Sequence, residues 1–510
     1  MYCNMITRID DLLDRITMYR LVLYVLIGLI LLAEVLSFFH LLPFSPLSLL
    51  LSTVFLVLIC WAANTILARI FDIPTNVESA YITALILALI IDPISSPGDL
   101  QFLGWAAILA ISSKYILSIN NKHIFNPAAI AVVITSFATG YSASWWVGTA
   151  SMLPAVLLTG VLLVRKLRQS EMVLLFIAAS LVTVCIISLL QGLSVTKELR
   201  LLLVESPIFF FAAIMLTEPL TLPPTQKLKN IYGVIIGILF IPQIHIGPIY
   251  STPELALVLG NVYSYIVSPK LKVALKLRRE SKIASDIVDF VFKPSQRLAY
   301  EPGQYMEFTL GHAKPDSRGN RRYFTLASSP TEENLRLGVR FYENGSSFKK
   351  ALYSIDGRTN MLAGQIAGDF TLPHDPDQKL VFIAGGIGIT PFRSMLKYLL
   401  DTGQRRDIVL LYVNRTANEI AYKDILSEAQ TKLGIKVFCT LTNTKAIPRN
   451  WSGLSGRINE QMMLKAVPDY DERTFYLSGP PDMVRAYEHV LKNMRVRHDQ
   501  IQKDFFPGLV

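Results

Sequence analysis

Cysteine is scarce in this chain, and its scarcity excludes two classes of protein. Four cysteines occur among 510 residues, and no two of them form a C-x-x-C pair. They stand at Cys3, Cys60, Cys185 and Cys439. Disulfide frameworks and cysteine-ligated iron–sulfur clusters both need cysteines at characteristic spacings. Neither is predicted here.

Histidine is too sparse in the first half of the chain to hold haem between helices. Residues 1–268 contain His40, His123 and His245, each near the end of an apolar segment. A haem-bearing transmembrane reductase needs histidines paired on helices as axial ligands. That class is therefore disfavoured. The sequence also shows no other metal-ligating cluster and no nucleic-acid-binding motif.

Charge is scarce overall and unevenly distributed. Charged residues make up 17% of the chain and hydrophobic ones 52%, with a mean hydropathy of +0.40. Residues 1–268 hold 13 basic and 13 acidic residues, whereas 269–510 hold 36 and 26. The net charge of +10 therefore belongs to the second half. A basic domain beside an anionic membrane surface is expected, and a solvated basic face explains the surplus equally well.

The first half has the pattern of a membrane domain with several spans. Ten apolar segments cover about 21–39, 47–70, 79–91, 101–118, 127–140, 146–165, 172–192, 201–216, 231–246 and 253–268. Several reach the ~20 residues that span a bilayer, and the shorter ones resemble half-helices that meet at mid-membrane. No small-residue cleavage site follows the first segment, so it is predicted to be a retained helix. We predict a polytopic α-helical membrane domain over 1–268.

Lys and Arg are distributed as expected for a chain whose two termini lie in the cytoplasm. The loops predicted to face outward, at 40–46, 92–100, 141–145 and 247–252, contain neither residue type. Lys197 and Arg200 depart from this pattern. By the positive-inside rule, ten spans place the second half of the chain on the cytoplasmic side of a bacterial inner membrane.

Two apolar runs bounded by the same kinds of residues indicate an inverted repeat. Glu78-Ser79 opens a short apolar run that ends at Asp92-Pro93, and Glu205-Ser206 opens another that ends at Glu218-Pro219. In the predicted topology the two runs cross in opposite directions, which places function at the repeat interface. The same residue pairs can also arise by chance, because serine is favoured at helix starts and proline just after helix ends. Acidic residues at membrane depth are usually functional, so all four carboxylates are candidates.

Two segments of this half resemble a known membrane family. The stretch from Ser113 to Ala129, containing I-F-N-P-A-A, and the stretch from Met215 to Gly237, containing T-E-P and Y-G-V-I-I-G, carry the resemblance. They are similar to motifs of the family that includes the D component of Rnf electron-transport complexes and the B component of the sodium-pumping NADH:quinone oxidoreductase. The resemblance covers roughly 70–268. It implies a membrane electron carrier that binds flavin, and it adds Asn126 to the functional candidates.

The same resemblance bears on how a membrane flavin would be held. Larger members of that family carry an S/D-G-A-T segment whose threonine is esterified by FMN. This chain has Gly148-Thr149-Ala150-Ser151 in a different frame. A covalent flavin is therefore not predicted, while a non-covalent FMN or riboflavin in the membrane domain stays open.

The second half changes pattern twice. Residues 269–282 are interpreted as a basic linker. Residues 283–375 alternate apolar and polar in short runs, which predicts an antiparallel β-barrel. From 376 to 510 the pattern predicts an α/β domain with a parallel sheet, because the apolar run 380–384 is typical of a buried parallel strand. Gly385-Gly386-Ile387-Gly388 and Thr390-Pro391 then form a turn and a helix start suited to a nucleotide phosphate.

Three islands of this half resemble the ferredoxin-NADP reductase-like superfamily. They are R-Y-F-T-L-A-S-S-P from Arg322, the glycine turn after 380–384, and Y-L-S-G-P-P-D-M-V from Tyr476. The resemblance implies an FAD site formed by Arg322, Tyr323, Phe324 and Thr325, with the arginine on the pyrophosphate and Thr325 at the isoalloxazine edge. Gly345, Ser346 and Ser347 fit a second phosphate loop, although a plain turn explains them too.

The resemblance also assigns residues to the pyridine nucleotide. Ser478 would lie beside the nicotinamide, where many members have cysteine, and with Thr325 it is a catalytic candidate. Arg415 would bind the 2′-phosphate of NADPH, and NADH stays open because a loop arginine needs no such role. The remaining nucleotide or flavin contacts would come from Gly479, Pro480, Met483, Phe505 and Phe506.

These observations predict a membrane-bound flavoprotein that takes hydride from NADPH or NADH onto FAD. Electrons would pass into or across the membrane to a membrane flavin, a quinone or an extracytoplasmic flavoprotein acceptor. A redox-driven Na⁺ or H⁺ pump is the alternative. A helical half that serves merely as an anchor would not need ten segments.

Overall fold

The computed structural model describes residues 13, 16–71, 77–119, 122–268, 272–312, 315–316, 319–343, 345–357 and 359–504. The chain forms two compact units, Met1–Lys270 and Leu271–Gly508. The predicted flavin contacts Phe505 and Phe506 lie outside the described residues.

The first unit is helical, as predicted. Its helices are α1 (Met18–Phe38), α2 (Pro46–Phe71), α3 (Val77–Ile90), α4 (Pro97–Ile116), α5 (Pro127–Thr139), α6 (Leu153–Leu167), α7 (Ser170–Gln191), α8 (Val195–Val204), α9 (Ile208–Phe210), α10 (Gln226–Leu239) and α11 (Pro253–Val267). Each predicted apolar segment contains helix. Within the described residues, α1, α2 and α7 are long and apolar enough to cross a membrane, and α3 and α5 are shorter apolar helices.

Two predicted segments differ from single helices. Segment 201–216 breaks between α8 and α9 and then forms a π-helical turn, Phe211–Met215, because Pro207 has no amide hydrogen for the helical ladder. Segment 146–165 begins with a 3₁₀ turn, Trp146–Gly148, before α6. A β-carbon on Gly148 would lie 2.5 Å from the Pro207 nitrogen. Glycine at 148 therefore lets these two irregular stretches touch.

The helical unit contains the same element order twice. After α4 comes a hairpin, β1 (Ser118–Ile119) and β2 (Lys122–His123), and then α5; after α10 comes β3 (His245–Ile246) and β4 (Ile249–Tyr250), and then α11. Helices α5 and α11 both begin with proline and are capped by the side chains of Asn126 and Thr252. The Asn126 amide donates to Asn261 Oδ1 of α11 at 2.7 Å, which joins the two short helices.

The second unit begins with a six-stranded antiparallel sheet. Its strands are β5 (Val273–Lys282), β6 (Ile287–Pro294), β7 (Tyr305–Thr309), β8 (Arg321–Thr325), β9 (Leu335–Arg340) and β10 (Asn360–Ala367), in the order β8-β7-β10-β5-β6-β9. Residues 273–282, predicted as a linker, are therefore a strand. Val273 and Leu275 are buried on one face, while the basic residues that suggested a linker occupy mostly exposed positions. The helix α12 (Ser347–Tyr353) follows β9.

A parallel six-stranded sheet completes the second unit and confirms the predicted α/β pattern. Its strands are β11 (Leu380–Gly385), β12 (Ile408–Asn414), β13 (Lys436–Leu441), β14 (Leu454–Ser455), β15 (Thr474–Ser478) and β16 (Ile501–Lys503), in the order β14-β13-β12-β11-β15-β16. The helices α13 (Thr390–Thr402), α14 (Lys423–Leu433), α15 (Glu460–Ala466) and α16 (Pro481–Asn493) connect them. Every residue of β11 is buried, as its apolar run predicts.

Candidate functional site

The glycine turn after β11 packs on the backbone that follows β15. These strands are parallel neighbours, with Ala384 opposite Ser478, so their carboxyl ends meet at one edge of the sheet. A β-carbon on Gly388 would overlap the Ser478 carbonyl and lie 2.6 Å from the Gly479 nitrogen. A β-carbon on Gly385 would meet the Met483 side chain. Two motifs distant in sequence thus form one backbone surface.

The turn is held in place by groups on both sides. Gly386 has a φ of +52°, a conformation that favours glycine. Its carbonyl accepts a hydrogen bond of 3.0 Å from the Tyr412 hydroxyl of β12. Thr390 Oγ1 donates to the Ile387 carbonyl at 3.2 Å, and Pro391 lies in the first turn of α13. The predicted helix N-terminus is therefore present next to the turn.

Arg340 is a site residue that the sequence reasoning missed. A β-carbon on Gly386 would lie 2.8 Å from Arg340 Nη1, so this guanidinium from the antiparallel sheet borders the nucleotide turn. Arg340 also forms an ion pair with Asp286 and another of 2.5 Å with Glu419. A single arginine at the end of a strand belongs to no recognisable sequence motif. Only the tertiary structure shows that Arg340 lies next to the turn at Gly386.

Arg415 lies where the resemblance places a nucleotide contact, at the carboxyl end of β12. It follows the last residue of that strand and is exposed. Its carbonyl accepts a hydrogen bond of 3.1 Å from the Asn443 amide. The position is at the same sheet edge as the glycine turn, and the 2′-phosphate role stays a prediction.

The R-Y-F-T motif lies on β8, and its side chains alternate across the sheet. Arg322 Cζ is 5.3 Å from the centre of the Phe348 ring, and the Phe324 ring is 5.9 Å from the same ring. The Tyr323 hydroxyl instead donates to Glu307 Oε2 at 3.0 Å. The motif is therefore divided between two faces of the strand, and Thr325 at its end is buried.

A carboxylate bridges the motif arginine and the predicted phosphate loop. Asp316 Oδ1 lies 3.4 Å from Arg322 Nη2, and Asp316 Oδ2 accepts a hydrogen bond of 3.0 Å from the Ser347 amide. Ser346 caps α12 through its hydroxyl, which accepts from the Lys349 amide at 3.2 Å. Arg322 and the Ser347 amide thus converge on the Asp316 carboxylate. This donor set is suited to a pyrophosphate.

Ser478 has a buried acid as its partner. Its hydroxyl donates to Asp504 Oδ2 at 2.8 Å. Burial raises the pKa of Asp504 to about 7, and the hydrogen bond from Ser478 opposes that rise. Near neutral pH the pair is therefore able to hold or release a proton beside the position predicted for the nicotinamide.

We expect Asp504→Asn to change both the pH profile and the stability. An acid whose folded pKa is raised from ~3.9 contributes stability at low pH that is lost as pH rises through about 7. Asp504→Asn should not show this loss of stability with rising pH, because asparagine does not titrate. Thermal unfolding and NAD(P)H oxidation, each measured across pH, check this. A Ser478→Ala variant is the control, and identical pH profiles for Asp504→Asn and the parent chain would contradict the expectation.

The structure brings two of the five membrane candidates together. Asn126 Nδ2 donates to Glu218 Oε2 at 2.8 Å. His123 Nε2 lies 3.6 Å from Glu218 Oε1. Asn261, which accepts from the Asn126 amide, donates to the Tyr232 hydroxyl at 3.0 Å. Asn261 was not predicted because it is distant in sequence from Asn126 and Glu218 and gives no local signal. His123 and Tyr232 lie inside the two motif stretches but were not among the predicted site residues.

The other three membrane candidates have different surroundings. Glu78 pairs with Arg20 at 3.1 Å. Asp92 and Glu205 are exposed. The four carboxylates of the predicted inverted repeat therefore have different surroundings, because their positions on the helices and their burial differ between the two repeats.

Known proteins match part of this chain. A family model described as the oxidoreductase NAD-binding domain matches residues 382–489. A flavohemoprotein of Oceanobacillus iheyensis is 25% identical over 46% of this chain and 59% of its own length. A stachydrine N-demethylase reductase subunit of Rhizobium meliloti is 29% identical over 41% of this chain and 60% of its own. A glycine betaine monooxygenase reductase subunit of Chromohalobacter salexigens is 25% identical over 41% and 57%.

Residues 382–489 of the second unit match the NAD-binding domain of oxidoreductases, and the matched relatives are a flavohemoprotein and two reductase subunits. These matches support an NAD(P)H-dependent oxidoreductase with FAD and NAD(P)H as cofactors. The chain spans about 60% of the length of the curated relatives that it matches. The resemblance of the helical unit to the Rnf and sodium-pumping families rests on its sequence motifs.

Proposed function

We propose that this protein is a membrane-bound flavoprotein that passes electrons from cytosolic NAD(P)H through FAD into its helical unit. The observation that carries the proposal is the backbone contact between the Gly388 turn and Ser478–Gly479. It forms a nucleotide surface at the carboxyl edge of a parallel sheet, the usual ligand edge of such sheets. FAD, when bound, would accept hydride and pass on single electrons.

The residues of the second unit have separate tasks in this proposal. Arg322 and the Gly345–Ser347 loop would hold the FAD pyrophosphate, and the contacts of Arg322 and the Ser347 amide with the Asp316 carboxylate support this. Arg340 and the turn at Gly386 would hold the phosphates of the pyridine nucleotide, and Arg415 would select NADPH. Ser478 and Asp504 would orient the nicotinamide and exchange a proton, while Thr325 would meet the edge of the flavin.

The helical unit would carry the electrons onward. We place its boundary near residue 270, the FAD domain from 271 to about 375 and the nucleotide domain from 376. Helices in all ten apolar segments support a multi-pass protein with an inverted repeat, and the duplicated hairpin-and-helix order supports that repeat. The acceptor would be a non-covalent FMN or riboflavin in this unit, a quinone or an extracytoplasmic flavoprotein.

Replacing Arg322 tests the flavin site. Hydrogen bonds to a charged group contribute about 1.5–3 kcal/mol, so Arg322→Ala should weaken FAD binding roughly 10- to 100-fold. The measurement is the flavin released per chain from the full-length protein in detergent, with the absorption spectrum before and after NADPH. Arg321→Ala is the matched control, because Arg321 points to the opposite face and lies 3.7 Å from Glu307. Equal flavin loss in both variants would refute the assignment.

Ion pumping is a second candidate, favoured by the polar cluster of Asn126, Glu218 and His123 within the helical unit. If redox drives ion movement, Glu218→Gln should abolish NAD(P)H-dependent Na⁺ or H⁺ uptake by proteoliposomes while NAD(P)H oxidation continues. Glu205→Gln, at an exposed position, is the control. Uptake that survives in Glu218→Gln would exclude this cluster from a pump.

A further inference from the structure

Glu34 is an acidic residue inside an apolar membrane-length helix. Arg20 and Glu34 are the charged residues of α1. They are 14 positions apart, which corresponds to about 21 Å along the helix. Arg20 pairs with Glu78 of α3 at 3.1 Å, at the opposite end of α1 from Glu34. The helix therefore supplies no cation to this carboxyl group.

Two polar atoms on the same face of α1 have no hydrogen-bond partner in the part of the chain that the structure describes. Glu34 Oε1 and Ser37 Oγ are both buried and unpartnered, and Ser37 is 0% exposed. Residues three apart share a helix face. The two atoms therefore form a small polar site in an otherwise apolar environment.

The helices packed on α1 bring no counter-charge to the level of Glu34. These helices are α2, α3 and α6. Ser151 Oγ donates to the Leu41 carbonyl at 3.3 Å, so α6 starts near the end of α1 where Glu34 lies. In the described residues of these helices, the charged groups lie at the far ends: Arg69 of α2, Glu78 of α3, and Arg165 and Lys166 of α6.

The other titratable groups of α1, α2 and α3 lie away from Glu34 along the helices. On α1 itself Tyr19 and Tyr24 lie in the half that contains Arg20, and Cys60 and Tyr81 lie on α2 and α3. Just beyond the helix ends, His40 and Asp92 are exposed. An ionised carboxylate with a buried, unpartnered oxygen is strongly disfavoured in such a setting. A protonated carboxyl group carries no charge and so avoids that cost.

We propose that Glu34 is a proton-exchange site of the helical unit, with Ser37 as the adjacent hydroxyl. Part of the Glu34 side chain is accessible, and α1 ends one turn later at Phe38, so a proton can enter and leave from that end. A sodium ion would need more oxygen ligands than the three side-chain oxygens that Glu34 and Ser37 present. The proposal does not depend on the electron transfer proposed above.

Infrared spectroscopy of the full-length protein in detergent tests the site directly. A protonated carboxyl group should give a C=O stretching band that shifts in D₂O and decreases as pH rises. Glu34→Gln should remove that band, and Glu34→Asp should shift it. The glutamine matches the neutral acid in size, and size-exclusion chromatography verifies that the variant folds.

Glu171→Gln is the matched control, because Glu171 is an exposed carboxylate of the same unit that accepts from Asn230 Nδ2 at 2.7 Å. It should leave the band unchanged. Identical titrating bands in the parent chain and Glu34→Gln would overturn the proposal. So would a band present in potassium buffer and lost in sodium buffer at constant pH, since that result would make Glu34 a sodium ligand.

Discussion

Gly388→Ala is expected to lower the kcat/KM for NAD(P)H by about 100-fold, because a displacement of ~1 Å in a reacting constellation has effects of that size. The new β-carbon would lie 2.5 Å from the Ser478 carbonyl carbon and 2.6 Å from the Gly479 nitrogen. Both are backbone atoms of a strand end, and neither is able to rotate away. The turn must therefore move, and with it the nucleotide surface. Steady-state NADPH and NADH oxidation with ferricyanide measures the loss.

Gly385→Ala is the control for that prediction. Its β-carbon would lie 2.7 Å from Met483 Cε, the end of a flexible side chain that can adopt another rotamer. We expect an effect of about tenfold or less, since a side chain rather than the backbone adjusts. Similar losses of kcat/KM in the two variants would show that any methyl group added to this turn is harmful. The contact of Gly388 with the Ser478–Gly479 backbone would then not be the specific cause.

Asp289→Ala should destabilise the second unit by about 3 kcal/mol, the scale for removing one partner of a buried ion pair. Asp289 is 1% exposed. It lies 2.7 Å from Arg336 Nη1 and accepts from the Tyr422 hydroxyl at 2.9 Å. Tyr422 belongs to the nucleotide part and Asp289 to the antiparallel sheet, so the substitution removes a bond between them. It also leaves a buried hydroxyl unsatisfied.

Asp286→Ala is the matched control for the loss of a carboxylate, because Asp286 directly precedes β6 of the same sheet. Asp286 is partly exposed, and its partner Arg340 keeps a second ion pair with Glu419. The expected cost is about 1 kcal/mol or less. Thermal unfolding of the full-length protein, followed by flavin fluorescence, compares the two. Equal melting temperatures for the variants would contradict the importance assigned to the Asp289 network.

The sequence predicted the elements of both units from local patterns. Apolar runs of helical length became helices, and the continuous run before Gly385 became the buried strand β11. The R-Y-F-T and S-G-P-P motifs identified the reductase module without any contact being known. Residues 273–282 were misassigned because basic side chains on one face of β5 obscured the alternation of buried residues on the other.

The sequence by itself thus determined the helical first half, the two sheet types of the second half and the reductase motifs, since each depends on the spacing of neighbouring residues. Only the tertiary structure decided which distant groups meet: Gly388 with Ser478, Arg340 with Gly386, and Asn126 with Glu218. It also places no counter-charge at Glu34 and Ser37 from the described residues of the helices packed on α1. Strand order, close backbone approach and burial arise from packing between elements, and no local pattern encodes them.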